Sequence, residues 1–168
     1  MLELRGADRL LDVGCGTGAA VRRAAPGVER AVGADLSPAM VVRARELAAG
    51  LANVEFLEAD VERLPFDDGS FTALLSTTSF HHYPDPEEAA REIARVLEQG
   101  GRAVVGDACS DRLAVRNLDR LLRTFQRSHV RFYRSEELVG FLAGAGLSLQ
   151  DSRALWKGGY VILAARKG

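Results

Sequence analysis

Short apolar runs and amphipathic stretches alternate along the first two thirds of the chain. Residues 9–13, Arg9-Leu10-Leu11-Asp12-Val13, form a compact apolar run that reads as a buried parallel strand. Three glycines at alternate positions follow, Gly14, Gly16 and Gly18, and residues 19–25 then carry a helical pattern that Pro26-Gly27 ends. A second strand is predicted over 29–34, ending on Asp35. Ser37 is an N-cap with Pro38 at the first helical position, opening a helix over about 39–49. A third strand spans 53–58 and ends near Asp60. A polar loop over 62–69 leads to a fourth strand at 71–76. Pro84-Asp85-Pro86 makes a turn and cap before a helix at 87–97. Gly100-Gly101 breaks that helix ahead of a fifth strand at 102–107. Strict alternation with short links predicts a doubly wound α/β fold: an open, mostly parallel sheet with helices on both faces.

The last third has a different pattern. Residues 111–127 read as one amphipathic helix. At roughly 100° per residue, Arg112, Arg116, Arg120, Arg123 and Arg127 share one stripe, and Ala114, Leu118, Leu121, Leu122 and Phe125 share the opposite one. The arginine stripe is expected to face solvent and the apolar stripe to line a pocket. Ser135 is expected to cap a helix over 136–145, with Gly146 behind it. Strands at 147–155 and 160–165 close the chain as a hairpin through Lys157-Gly158-Gly159.

Composition narrows the class. A length of 168 residues, 47% hydrophobic and 27% charged, suits one domain over 1–168 with a sizeable core. A net charge of −1 gives no general reason to expect nucleic acid. Two cysteines, Cys15 and Cys109, make no disulfide framework and point to a reducing, cytoplasmic setting. No run has the length of a membrane span.

The strand, glycine loop and helix start at 9–25 make a ligand cradle built from backbone. Glycine lets the chain turn and approach a ligand where a Cβ would clash. Asp35 stands about 20 residues past the loop, where a carboxylate accepts from both hydroxyls of a ribose. Gly14-x-Gly16-x-x-Ala19 also satisfies the dinucleotide fingerprint, so a nicotinamide-dependent oxidoreductase is a competing reading; its second nucleotide-binding half and substrate domain find no room in 168 residues. Cys15 is expected to be inert, as a small residue in a tight loop.

Several segments together resemble the class I S-adenosylmethionine-dependent methyltransferases, in particular the small-molecule, type 11-like branch. They are Leu11-Asp12-Val13-Gly14-Cys15-Gly16-Thr17-Gly18, Gly33-Ala34-Asp35-Leu36-Ser37, Glu58-Ala59-Asp60, Leu64 to Phe71, His81 to Pro86, and Ala94-Arg95-Val96-Leu97 leading to Gly100-Gly101-Arg102. The resemblance implies a Rossmann-like sheet of seven strands, the last antiparallel. It implies S-adenosylmethionine as cofactor, held by Asp12, Gly14, Cys15, Gly16, Gly18, Asp35, Leu36, Asp60, Val61, Ser76 and Thr77. The reaction it implies is an in-line methyl transfer to a small-molecule acceptor, with no metal, nucleic acid or membrane partner.

Candidate bases for an acceptor that must lose a proton are His81 and His82, with Tyr83 and Asp107 nearby. Phe80 and Tyr83 are candidate pocket walls, and His129 a candidate acceptor contact. The family commonly has one or two helices before the first strand, whereas only residues 1–8 stand there in this sequence; the expected site is open or lidded by another subunit, which leaves a homodimer open. A methyltransferase-like module that binds without turnover is the main alternative. Thr72, where the family commonly has Asp, and Glu98-Gln99, in place of Lys-Pro, are departures outside the expected cofactor site.

Overall fold

The computed structural model describes residues 2–125 and 130–168, with the side chain of Arg123 excepted. The predicted positions Arg127 and His129 therefore lie outside the described residues. One seven-stranded sheet organises the rest: β1 (Arg9–Val13), β2 (Arg30–Asp35), β3 (Val54–Glu58), β4 (Phe71–Thr77), β5 (Leu97–Ala108), β6 (Leu147–Leu155) and β7 (Tyr160–Lys167). Their order is β3-β2-β1-β4-β5-β7-β6. The first five strands are parallel, and β7 runs antiparallel between β5 and β6.

Helices α1 (Ala19–Ala24), α2 (Pro38–Leu47), α3 (Pro86–Val96), α4 (Leu113–Phe125) and α5 (Ser135–Gly144) surround the sheet. The apolar strands read as double-sided because they are. Val32 and Ala34 join a large core with Leu11, Leu74, Ile93 and Leu142, while Ala31 joins a smaller core with Val21, Val41, Ala44 and Phe56.

Local chemistry sets the boundaries. The Ser37 hydroxyl accepts from Met40 N–H at 3.5 Å, and Asp85 caps α3 by accepting from Glu88 N–H at 2.9 Å. Two expectations need correction. The glycine pair does not separate α3 from a strand, because β5 begins directly at Leu97 and runs through it. Gly101 lies so close to the turn of its own strand that a Cβ would meet the Glu98 carbonyl at 2.8 Å, and the register of β4 on β5 shifts at this point. Ser135 is the first residue of α5 rather than its cap; the Glu137 carboxylate reaches back to accept from Arg134 N–H at 2.8 Å.

The chain runs outward from β1 through β2 to β3, then returns to place β4 on the other side of β1. Such a reversal splays the connections at the carboxyl ends of β1 and β4 and opens a crevice there. No helix among the described residues is long and apolar enough to cross a membrane.

Candidate active site

The loop leaving β1 is fastened from two sides. The Ala34 carbonyl at the end of β2 accepts from Gly14 N–H at 2.8 Å and Cys15 N–H at 3.1 Å. Gly14 and Gly18 have φ of 68° and 74°, and each is also packed too tightly for a side chain. A Cβ on Gly14 would stand 2.5 Å from Ser79 Cβ, and one on Gly18 would enter the Phe56 ring. Gly16 differs: nothing lies within 4 Å of where its Cβ would be. Its surroundings are open.

Asp35 ends β2 and spans the crevice. One oxygen accepts from Gly16 N–H at 2.7 Å and the other from Ser37 N–H at 2.9 Å. A carboxylate offers about four acceptor positions, so two remain for a diol. Leu36 beside it is 67% exposed, an apolar side chain presented to whatever lies over it. Asp60 is exposed and accepts from Glu62 N–H at 3.0 Å. Val61 packs its side chain into the large core, so only its main chain remains to meet a ligand.

Asp12 is 2% exposed, and its Oδ1 is buried without a hydrogen-bond partner among the described residues. Burial, reinforced by the charge of Asp35, pushes its carboxyl up to about 7. Cys15 shares that surrounding. Burial, then Asp12 and Asp35, push its thiol up to about 12, so it carries no thiolate at neutral pH.

The end of β4 closes the other side. Ser76 is fully buried, and its hydroxyl lies 2.9 Å from that of Ser79 and 3.2 Å from that of Tyr83. Its side chain supports the loop from beneath rather than lining an open surface, while Thr77 is exposed. Thr78 has φ 57°, a strained conformation for a β-branched residue, held by its N–H to the Gly106 carbonyl at 2.7 Å and its hydroxyl to Tyr160 at 3.1 Å. Phe80 is 1% exposed and belongs to the core. Tyr83 is buried as well, and burial raises its phenol well above the usual range, which removes it as a pocket wall and as a base near neutral pH. The Ser76–Ser79–Tyr83 hydroxyls were not legible as a unit, since only packing brings them together under Gly14.

The two histidines separate by position. His81 is 7% exposed, and its Nδ1 lies 2.8 Å from Asp107 Oδ1. Its main-chain N–H donates to Asp107 Oδ2 at 2.9 Å, so one carboxylate from β5 holds both ends of the residue. His82 is half-buried, and its ring meets that of His81 at a tilt of 46° with centroids 3.9 Å apart. The Phe132 ring stands 5.1 Å from His81 on another side. Asp107 is itself 1% exposed, so it meets His81 rather than an incoming molecule.

The expected orientation of α4 holds only in part: Arg112 and Arg120 are exposed, as expected, but most of the apolar stripe is exposed as well. Leu118, Leu121 and Phe125 are 47%, 55% and 79% exposed, whereas Arg116 is half-buried and Asp119 is buried. Asp119 accepts from Phe132 N–H at 2.6 Å, which docks the polar face of the helix on the segment before α5. A polar helix face goes inward where the facing segment offers unpaired main-chain groups. The sequence did hold a signal: Asp119 borders the arginine stripe, and an acid beside a basic stripe marks a face with partners.

The cradle at Gly16, the spare acceptor positions on Asp35 and the orphaned Asp12 oxygen together fit the ribose and cationic amino-acid tail of S-adenosylmethionine. Residues 11–105 match the family described as "Methyltransferase domain". The chain is 35% identical over 153 residues to the uncharacterized methyltransferase YcgJ of Bacillus subtilis, covering 89% of this chain and 60% of that protein. The crystal structure of YcgJ superposes with a TM-score of 0.87 at 24% identity, covering 98% of this chain and 94% of that one. Two further relatives carry named substrates. The demethylmenaquinone methyltransferase of Thermus thermophilus is 45% identical over 101 residues, covering 58% of this chain and 46% of that protein. The 27-O-demethylrifamycin SV methyltransferase of Amycolatopsis mediterranei is 41% identical over 111 residues, covering 64% and 41%. The chain thus spans between about two fifths and three fifths of the length of these curated relatives.

Proposed function

The chain belongs to the methyltransferase domain family, and on that premise we propose that it methylates a small molecule, with S-adenosylmethionine as methyl donor, by in-line displacement. The bound donor supplies a methyl group already activated on a sulfonium. Catalysis by the protein is then chiefly positioning and exclusion of water. Gly14, Gly16 and Gly18 bring main chain to the donor's tail, with Cys15 as a small, inert member of the loop. Asp12 faces the tail's ammonium, which favours the ionised carboxylate. Asp35 takes the ribose hydroxyls, Leu36 and Asp60 flank the adenine with the Val61 main chain, and Thr77 lies toward the donor's tail. Ser76 acts from below, through Ser79 and Tyr83.

His82 is the proton acceptor in this reading, and His81 is a positioning residue that Asp107 holds in one orientation. The observation that carries the reading is Asp35, which ties the glycine loop to the start of α2 and keeps acceptor positions toward the crevice. Relatives named for demethylmenaquinone and demethylrifamycin support an acceptor of small-molecule size. The open space over Gly16 supports a site in the single domain over residues 1–168 that a further segment or a second subunit completes.

Calorimetric titration with S-adenosylhomocysteine tests the premise. Micromolar binding is expected, with affinity falling at least about tenfold, or 1.4 kcal/mol, in Asp35→Ala. NAD is expected not to bind. Tight NAD binding, or an Asp35→Ala protein that keeps full affinity, overturns the reading.

A further inference from the structure

A cavity of about 480 Å³ lies between α4 and the segment leading into α5. That volume is within the range that holds small ligands. Its wall carries four arginines, Arg116, Arg120, Arg131 and Arg134, and three carboxylates, Asp119, Glu136 and Glu137. The carboxylates are engaged. Asp119 accepts from the Phe132 N–H at 2.6 Å. Glu137 pairs with Arg131 at 2.7 Å and accepts from Arg134 N–H, and Glu136 pairs with Arg134 at 3.3 Å. Arg116 and Arg120 have no carboxylate partner among the described residues. The Arg116 Nε is buried with no hydrogen-bond acceptor at all among them. Leaving a buried guanidinium N–H unmatched costs free energy that neither core packing nor the helix returns.

The cavity also adjoins the proposed transfer site. Phe132 is part of its wall and stands 5.1 Å, ring to ring, from His81. The His81 carbonyl accepts from Val130 N–H at 2.9 Å and Arg131 N–H at 3.3 Å, so the cavity segment is sewn to the histidine loop. Arg116 and Arg120 lie one helical turn apart, on the same face. Two guanidinia so placed match the oxygens of a carboxylate or a phosphate.

We propose that Arg116 and Arg120 bind an anionic group of the methyl acceptor, a carboxylate or a phosphate monoester, in this cavity while the acceptor's nucleophile reaches the His81–His82 loop. The proposal rests on the methyl-transfer reading for the nature of the ligand, but the anion site can be tested without turnover. The probes are benzoate, phenyl phosphate and inorganic phosphate, titrated calorimetrically into the full chain at constant ionic strength. The wild-type protein is expected to bind at least one of them. Preference for benzoate assigns a carboxylate, and preference for the phosphates a phosphoryl group. Arg116→Gln is expected to weaken that binding by about tenfold and the exposed Arg120→Gln by less, as for a charged hydrogen bond removed. Both variants are expected to bind S-adenosylhomocysteine as the wild type does. If all three anions bind wild type and both variants alike, or none binds wild type, the anion site is overturned while S-adenosylhomocysteine binding still stands. Loss of S-adenosylhomocysteine binding by the wild type instead overturns the premise of methyl transfer.

Discussion

The two edges of the sheet treat their polar groups in opposite ways. At the amino edge, every oxygen of the buried Asp8 has a donor. Arg5 N–H reaches it at 2.7 Å, the Thr72 hydroxyl at 2.7 Å and the Arg102 guanidinium at 2.5 Å. Arg9 beside it pairs with Glu98 at 3.0 Å and takes the Ser70 carbonyl at 2.9 Å. Thr72 and Glu98, two of the residues that depart from the family pattern, are therefore partners in one network. At the carboxyl edge, Asp12 keeps a buried oxygen unmatched, Thr78 holds a strained φ, and Gly14 and Gly18 sit where no side chain fits. The first edge is finished as a structure. The second holds strain and unmatched charge, and such features persist where they serve a ligand.

This contrast can be broken by substitution. Asp8→Ala removes the acceptor of three donors and leaves Arg102 without its carboxylate partner, which should cost about 3 kcal/mol of stability. Chemical denaturation should read that loss, while affinity for S-adenosylhomocysteine stays within about twofold. A large loss of affinity would mean that the edges are coupled. Gly18→Ala should cost about 2 kcal/mol, because it combines φ 74° with a collision on Phe56. Here stability and cofactor affinity should fall together.

Asp12→Asn should have the smallest effect on stability, and its sign should depend on pH. The Asp12 carboxyl lies at about 7 in the fold against 3.8 as its ordinary value, so the native state binds the extra proton between these limits. Its contribution is complete below about 3.8 and is lost as pH rises toward 7. Asp8 has the opposite sign. Burial alone would raise its carboxyl, but the hydrogen bonds from Thr72 and Arg102 hold it below the ordinary 3.8. Its contribution is present above that value and is lost as pH falls further. Thermal melts from pH 4.5 to 8 should show a decline in the wild type that is weaker in Asp12→Asn. An unchanged slope would place the unmatched charge elsewhere.

Much of the carboxyl edge was legible because its chemistry is local in sequence. The glycines, Asp35 with Ser37-Pro38, and the strands before them each carry a backbone requirement that a few adjacent residues reveal. Ser76 illustrates the limit. It stands at the end of a strand, as expected, but whether its hydroxyl faces a ligand or the core depends on Ser79 and Tyr83 packing beneath Gly14. The histidine pair shows the same limit, since Asp107 comes from a strand 26 residues away and decides which ring is anchored.

The hydrophobic pattern by itself determined the alternation of strands and helices, the sheet they form and the loop that leaves β1. It did so because periodicity and glycine conformations act within one element. The way α4 turns its two faces was decided only by tertiary structure. A helix with one arginine stripe and one leucine stripe can bury either, and the flank that turned inward is the one whose Asp119 finds the Phe132 N–H opposite. Docking of Asp119 and Arg116 inward left Leu118, Leu121 and Phe125 outside and created the arginine-lined cavity beside His81.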